Sequence, residues 1–213
     1  MNNEKTPDLK IKLQQDIAQE ILSKLEILDP YGILAGGAPR SWYLGKPAND
    51  LDFYICFCPC NMESRLKPLG LQVSRMSCER LQNSAYPEMQ KIQDIFEGDF
   101  NGQAYQIMVM SELTMNCVVS EFGTSVCEAW WKHGRIQVTD AFKLSHFLKT
   151  IYTKPDYSAK VKHVDKMRRY FPNYKVVPVS EMEDDVKKLA SQLGANNNLW
   201  SVVSELEKRE GDK

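Results

Sequence analysis

At 213 residues with 43% apolar content, the chain is long enough for one large domain, or for a domain with a small appendage. No stretch approaches ~18 consecutive apolar residues and the opening MNNEKTPDLK lacks a signal-peptide pattern, so a soluble, cytoplasmic protein without a membrane span is expected. In a reducing compartment the six cysteines are expected to be free thiols, and a net charge of −1 by itself selects no class of partner. Residues 1–9 read as a loose tail. From Lys10 to Leu28 the apolar residues Ile11, Leu13, Ile17, Ile21, Leu22, Leu25 and Leu28 recur near helical spacing, which predicts an amphipathic helix lying on a sheet. Asp29-Pro30 stops it.

The stretch Tyr31–Phe57 carries the chemistry. A short apolar run, Tyr31 to Ala35, breaks at Gly36-Gly37. A helical segment begins near Pro39 and ends at Gly45-Lys46-Pro47, and a second strand opens with Asp50 and Asp52. Strand alternation points Asp50 and Asp52 to one face and Leu51 and Phe53 into the core. Two carboxylates ~7 Å apart on one strand repel each other; a hard divalent cation, Mg²⁺ or Mn²⁺, relieves that repulsion. Gly36 and Gly37 let backbone N–H groups approach a ligand closely, and a helix starting at Pro39 turns its positive end toward the same place. Arg40 adds a fixed cation with a planar donor fork. A lone Gly-Gly is ordinarily a turn, and a lone Asp-x-Asp a solvent-facing strand end. Their ordered combination describes a site for a metal-bound nucleoside triphosphate. Trp42 and Tyr43 are candidates either for stacking on a nucleobase or for core packing.

The order Gly-Gly-x-x-Arg-x-x-x-x-Gly-x-x-x-x-Asp-x-Asp, Gly36 to Asp52, resembles the signature of the polymerase β-like nucleotidyltransferase superfamily. It is most similar to the tRNA-nucleotidyltransferase type and to small nucleotidyltransferase-like proteins carried by bacteriophages, which would place the protein in a host cytoplasm. The resemblance implies transfer of a nucleoside monophosphate from an NTP to a hydroxyl acceptor, RNA such as tRNA or a protein, with release of pyrophosphate. It implies Asp50 and Asp52 as catalytic carboxylates holding Mg²⁺ (or Mn²⁺), and Gly36, Gly37, Arg40, Ser41 and Lys46 as nucleotide-binding residues. Three positions depart from the pattern. Ser41 follows the arginine where an aspartate is usual, Gln106 stands where a neighbouring strand usually carries a third carboxylate, and Gly123 replaces another aspartate. The third ligand is then missing, or is supplied by Asp94, Asp99, Glu112 or Glu121. The departures keep open an alternative: a catalytically degenerate relative that binds a nucleotide, RNA or host protein.

After the strand, Cys56, Cys58 and Cys60 alternate; with no second knuckle and distant histidines they read as buried cysteines rather than as a zinc cage. Asn61–Gly70 is expected to be helical, Leu71–Arg75 a short strand and Cys78–Met89 loop. Asn101-Gly102 between Ile92–Phe100 and Gln103–Met110 is a strong hairpin signal. Ser111–Ser120 is expected to be helical, and Thr124–Trp131 with Arg135–Val138 to form a hairpin turning at His133-Gly134.

From Asp140, read as an N-cap, AFKLSHFLKTIY predicts a helix, and Pro155 separates it from a second one over Tyr157–Tyr170. Val176–Val179 reads as extended. Ser180-x-x-Glu183 resembles a capping box opening a helix to about Leu193, and Asn197 or Asn198 starts the last one. Lys132–Lys175 holds eleven Lys and Arg against three Asp, while the remainder holds 16 basic and 25 acidic residues. That asymmetry marks Lys162, Lys166, Arg168 and Arg169 as possible nucleic-acid contacts, with a solvated helix face as the alternative. The expected fold is α+β: a nucleotidyltransferase-like mixed β-sheet flanked by helices, with a catalytic domain over 1–139 and a C-terminal helical region over 140–213.

Overall fold

A computed structural model describes residues 6–56, 60–77, 91–111, 118–119, 122–154 and 161–211; the side chains at 6–7 and 161–162 are outside the description. The expected loop over Cys78–Met89, and most of the expected helix over Ser111–Ser120, fall outside these residues. The chain forms two compact units, one of Met1–Glu121 with Ala129–Gln137, the other of Phe122–Glu128 with Val138–Lys213. No described helix is long and apolar enough to cross a membrane.

In the first unit, α1 (Thr6–Leu25) begins within the stretch read as a tail, and α2 (Gly37–Tyr43) and α3 (Met62–Leu66) are short. The strands are β1 (Ile33–Ala35), β2 (Leu51–Cys56), β3 (Val73–Arg75), β4 (Ile92–Phe100), β5 (Gln103–Met110), β6 (Ala129–Lys132) and β7 (Arg135–Val138). They make one mixed sheet in the order β3-β4-β5-β2-β1-β6-β7, with β2 and β5 parallel. The alternation expected of β2 is present: Leu51, Phe53 and Ile55 are fully buried, and they share a core with Ile17, Ile21, Leu22 and Leu25 of α1 and with Tyr105, Ile107 and Val109 of β5. Both expected hairpin turns form with left-handed backbone, at Asn101 (φ 55°) with Gly102 (φ 80°) and at His133 (φ 50°) with Gly134 (φ 74°). Two-residue turns of this hand match the twist of the strands they join. The expected strand over Thr124–Trp131 is shorter, because Ser125–Cys127 form a 3₁₀ turn before β6 begins.

In the second unit the C-terminal region is not purely helical. The expected AFKLSHFLKTIY helix stops early: α4 (Asp140–Leu148) ends where Lys149 takes the left-handed conformation at φ 50°, and Thr150–Thr153 become β8. The β-branched Thr150 and Ile151, followed by Tyr152, suit a strand better than a helix. β8 pairs in parallel with β9 (Lys175–Pro178). Two caps differ from expectation. Thr139, not Asp140, caps α4, its Oγ1 accepting the N–H of Phe142 at 3.1 Å. Ser180 lies inside α6 (Ser180–Leu193), whose cap residue Val179 offers no side-chain acceptor, so the capping box does not form. α5 (Val161–Tyr170) and α7 (Leu199–Gly211) complete the unit, and the N–H of Ser201 donates to Asn198 Oδ1 at 2.8 Å ahead of α7.

One glycine in the sheet is dictated by close approach. Gly98 lies opposite Tyr105, and a Cβ there would stand 2.5 Å from the Tyr105 ring and 2.6 Å from the Gln72 carbonyl oxygen that accepts the Tyr105 hydroxyl. Gly98→Ala should therefore destabilise the protein by about 1–3 kcal/mol through overpacking, read as a lower urea midpoint. Gly102→Ala, whose Cβ meets nothing within 4 Å, tests backbone strain alone.

Candidate active site

β1 runs antiparallel to β2, with Ile33 opposite Tyr54 and Leu34 opposite Phe53. The chain therefore leaves β1 at the end of the sheet where β2 begins. Gly36 makes that exit with φ 84° and ψ −115°, a conformation essentially confined to glycine. Its N–H donates to the Ala129 carbonyl at 2.8 Å, and its own carbonyl accepts the N–H of Arg40 at 3.2 Å. Gly37, Arg40 and Ser41 follow on α2, the latter two buried. The Arg40 Nη2 lies 4.0 Å from where a Cβ on Gly37 would be, so the guanidinium is turned toward the glycine pair. Lys46 is exposed in the loop after α2, its N–H bonded to the Ser41 carbonyl at 2.8 Å.

That loop leads to the aspartates and is fastened from below. Gln14, buried on α1, accepts the Ala48 N–H at 2.9 Å and the Trp42 indole N–H at 3.1 Å, and donates to the Ala48 carbonyl at 2.8 Å and to Gln103 Oε1 at 2.7 Å. Gln103 donates in turn to the Asn49 carbonyl at 3.1 Å. Trp42 is thus a core residue, edge-on to Trp131 at 5.9 Å, and is not available to a base; Tyr43 is exposed.

Asp50 is exposed one residue before β2, and Asp52 is half-buried between the fully buried Leu51 and Phe53. The register sets Asp52 beside Gln106 on β5, and Gln106 beside Glu97 on β4. Residues paired across strands project to the same face. Asp52, Gln106 and Glu97 therefore form a polar row across three strands. The Gln106 Nε2 donates to Glu97 Oε1 at 3.0 Å. Its Oε1 is closed off from solvent and has no hydrogen-bond partner among the described residues.

Glu97 was not among the carboxylates weighed from sequence, although counting back from the Asn101-Gly102 turn would have paired it with Gln106. Of those that were weighed, Asp94 is buried in an ion pair with Arg75 (2.6 Å) and shares strand parity with the core residue Phe96, on the opposite face. Asp99 accepts the Gly102 N–H at 2.8 Å within the hairpin turn. Glu112 and Glu121 lie outside the described residues. Among the described residues no three His, Cys, Asp or Glu side chains converge as a metal cluster. Cys60 is exposed and Cys56 half-buried, against the expectation that both are buried; Cys58 lies outside the described residues. Lys166, Arg168 and Arg169 are exposed on α5 in the other unit, with Arg168 paired to Asp165 at 3.1 Å. The side chain of Lys162 is outside the description.

No family profile and no curated protein matches the sequence. Solved structures do match the fold. They include the CCA-adding enzyme of Bacillus stearothermophilus in complex with CTP (TM-score 0.53, 13% identity, 89% of this chain and 45% of that one). A CCA-adding enzyme complex with ATP aligns with TM-score 0.53 at 12% identity over 92% of this chain and 49% of that one. A tRNA-processing enzyme with CTP aligns with TM-score 0.52 at 15% identity over 90% and 55%. The chain spans about half the length of these structures. Its fold is nucleotidyltransferase-like, a mixed sheet flanked by helices.

The two glycines of the turn differ in what they do. Gly36→Ala should cost about 1–3 kcal/mol of stability, from forcing a side chain into a glycine-only conformation. Gly37→Ala, in helical backbone with only Arg40 Nη2 at ordinary contact distance, should stay within about 0.5 kcal/mol of wild type. Urea unfolding of both variants measures the contrast, and leaves Gly37 as the position whose substitution reports on a ligand.

Proposed function

We propose that this protein transfers a nucleoside monophosphate from a nucleoside triphosphate to a hydroxyl acceptor, with residues 1–139 as the catalytic domain. The observation that supports it most is the antiparallel β1–β2 pair, which brings the glycine turn, Arg40 and the aspartates to one end of the sheet. The acceptor oxygen bonds to the α-phosphorus as the bond from that phosphorus to the β-bridging oxygen breaks. Pyrophosphate leaves with the electron pair, and the hydroxyl proton passes to water.

In this reading Asp50 and Asp52 hold Mg²⁺ or Mn²⁺, and their hard oxygens together with Gln106 Oε1, which has no partner among the described residues, fit such an ion. When bound, the ion supplies charge neutralisation at the phosphates and a lowered pKa at the attacking hydroxyl. The backbone of Gly36 and Gly37 approaches the triphosphate, Arg40 and Lys46 neutralise its oxygens, and Ser41 holds the loop through its carbonyl while lying beside the nucleotide. Such catalysis is positioning and electrostatics, which a small constellation can provide. The acceptor proposed is RNA of the tRNA kind or a protein, with Lys162, Lys166, Arg168 and Arg169 on the basic α5 as the contacts for a nucleic-acid backbone.

A second reading has a specific observation behind it: the side chain beside Asp52 is the neutral Gln106, engaged with Glu97. A protein that binds a nucleotide, RNA or another protein without turnover would need no third carboxylate. The readings separate on coupling. With two aspartates and one amide, metal affinity should be weak until the triphosphate adds its own oxygens, so that metal and NTP strengthen each other's binding, by about tenfold or more. Calorimetric titration of NTP with and without Mg²⁺ measures this. Asp52→Asn should abolish the coupling while the protein stays folded. Equal NTP affinity with and without metal favours the binding-only reading.

A further inference from the structure

Cys127 closes the 3₁₀ turn Ser125–Cys127, and that turn is fixed from two sides. The Ser125 hydroxyl lies 2.6 Å from the Ser145 hydroxyl and accepts the N–H of Tyr152 at 3.0 Å. The Cys127 N–H donates to the Thr124 carbonyl at 3.0 Å, and the Thr124 hydroxyl donates to Cys127 Sγ at 3.2 Å. The sulfur thus accepts one hydroxyl donor, and its own S–H is directed at Met167 Sδ.

Facing this sulfur are two side chains one turn apart on α5. His163 Nε2 stands 3.7 Å from Cys127 Sγ, and Met167 Sδ stands 3.6 Å from it. Positions i and i+4 share a helix face, so the His-x-x-x-Met spacing delivers an imidazole and a thioether to one point. Cys127 and Met167 are buried, while His163 is half-buried. The neighbouring carboxylate, Glu128, is engaged by the Thr139 hydroxyl at 2.7 Å.

We infer that Cys127, His163 and Met167 form a three-coordinate site for a soft monovalent cation, Cu(I) in the first instance. Metal–sulfur arms of about 2.3 Å and metal–nitrogen arms of about 2.0 Å, opened to a trigonal angle, set sulfur and nitrogen about 3.7 Å apart. That is the separation observed between Cys127 and His163, and the two sulfurs, 3.6 Å apart, open by a few tenths of an ångström to the ~4.0 Å that the same geometry sets. Thiolate and thioether together select Cu(I) over Mg²⁺ or Ca²⁺, and a thioether is not a usual ligand for Zn²⁺. The ion would fasten α5, which carries Lys166, Arg168 and Arg169, to the Thr124–Cys127 turn. The site is separate from the aspartate site and does not depend on nucleotidyl transfer.

The test uses the reduced full-length chain under anaerobic conditions, titrated with Cu(I) buffered by the chromogenic chelator bicinchoninate. Wild type should take one Cu(I) with a rise in thermal midpoint. Met167→Leu keeps all six thiols and the core volume. It should bind at least tenfold more weakly, as should Cys127→Ser, and both should lose the thermal rise. A triple variant with Cys56, Cys58 and Cys60 all changed to Ser should bind like wild type. Failure of wild type to compete with the chelator, undiminished affinity in Met167→Leu, or loss of binding in the triple variant would overturn the site and leave the three side chains as ordinary core packing.

Discussion

A single buried amide, the side chain of Gln14, holds together the parts from which the site is built. Its oxygen takes the Ala48 N–H and the Trp42 indole, and its nitrogen serves the Ala48 carbonyl and Gln103. Each buried polar group left unpaired costs about 1–3 kcal/mol, so the network is stable only when α1, α2, the loop before Asp50 and the start of β5 all sit in one arrangement. Ala48 and Asn49 are bonded through backbone atoms, and Asp50 is the next residue. The placement of the aspartates relative to the glycine turn thus depends on a residue that takes no part in the proposed chemistry.

The polar row Asp52–Gln106–Glu97 sets the electrostatics of that end of the sheet. A carboxylate at 106 would have placed like charges directly across neighbouring strands, a repulsion relieved by a bound cation or by protonation of one carboxyl. The amide instead donates to Glu97, and its oxygen is closed off from solvent with no hydrogen-bond partner among the described residues. A neutral amide at this position removes that repulsion between β2 and β5. This is why the neutral residue supports two readings, an enzyme that acquires its metal with the nucleotide and a binder that never turns over.

Much of this was legible in the residues themselves. The alternation Leu51, Phe53, Ile55 against Asp52 announced β2, and Asn101-Gly102 and His133-Gly134 announced their hairpins, because burial and left-handed backbone are local demands. What was hidden depended on partners distant in sequence. Gln14 reads as an unremarkable polar position on an amphipathic helix until the start of β5, 89 residues away at Gln103, is folded against it. Trp42 reads more readily as core or rim packing than as a base-stacking residue, and its edge-on contact with Trp131 places it in the core. Lys149 carries no marker of the left-handed turn that ends α4, and Glu97 gains its meaning only from the register with Gln106.

The central claim is that the two aspartates support transfer of a nucleotidyl group. The direct measurement is incubation of the protein with each α-phosphorus-labelled NTP, total RNA or cell lysate, and Mg²⁺ or Mn²⁺, followed by separation of labelled macromolecules. The account predicts label in RNA or protein with at least one NTP, accompanied by pyrophosphate, and its absence when Asp50 or Asp52 is replaced by Asn. No label from any NTP with either acceptor, or label that persists undiminished in both variants, would contradict it.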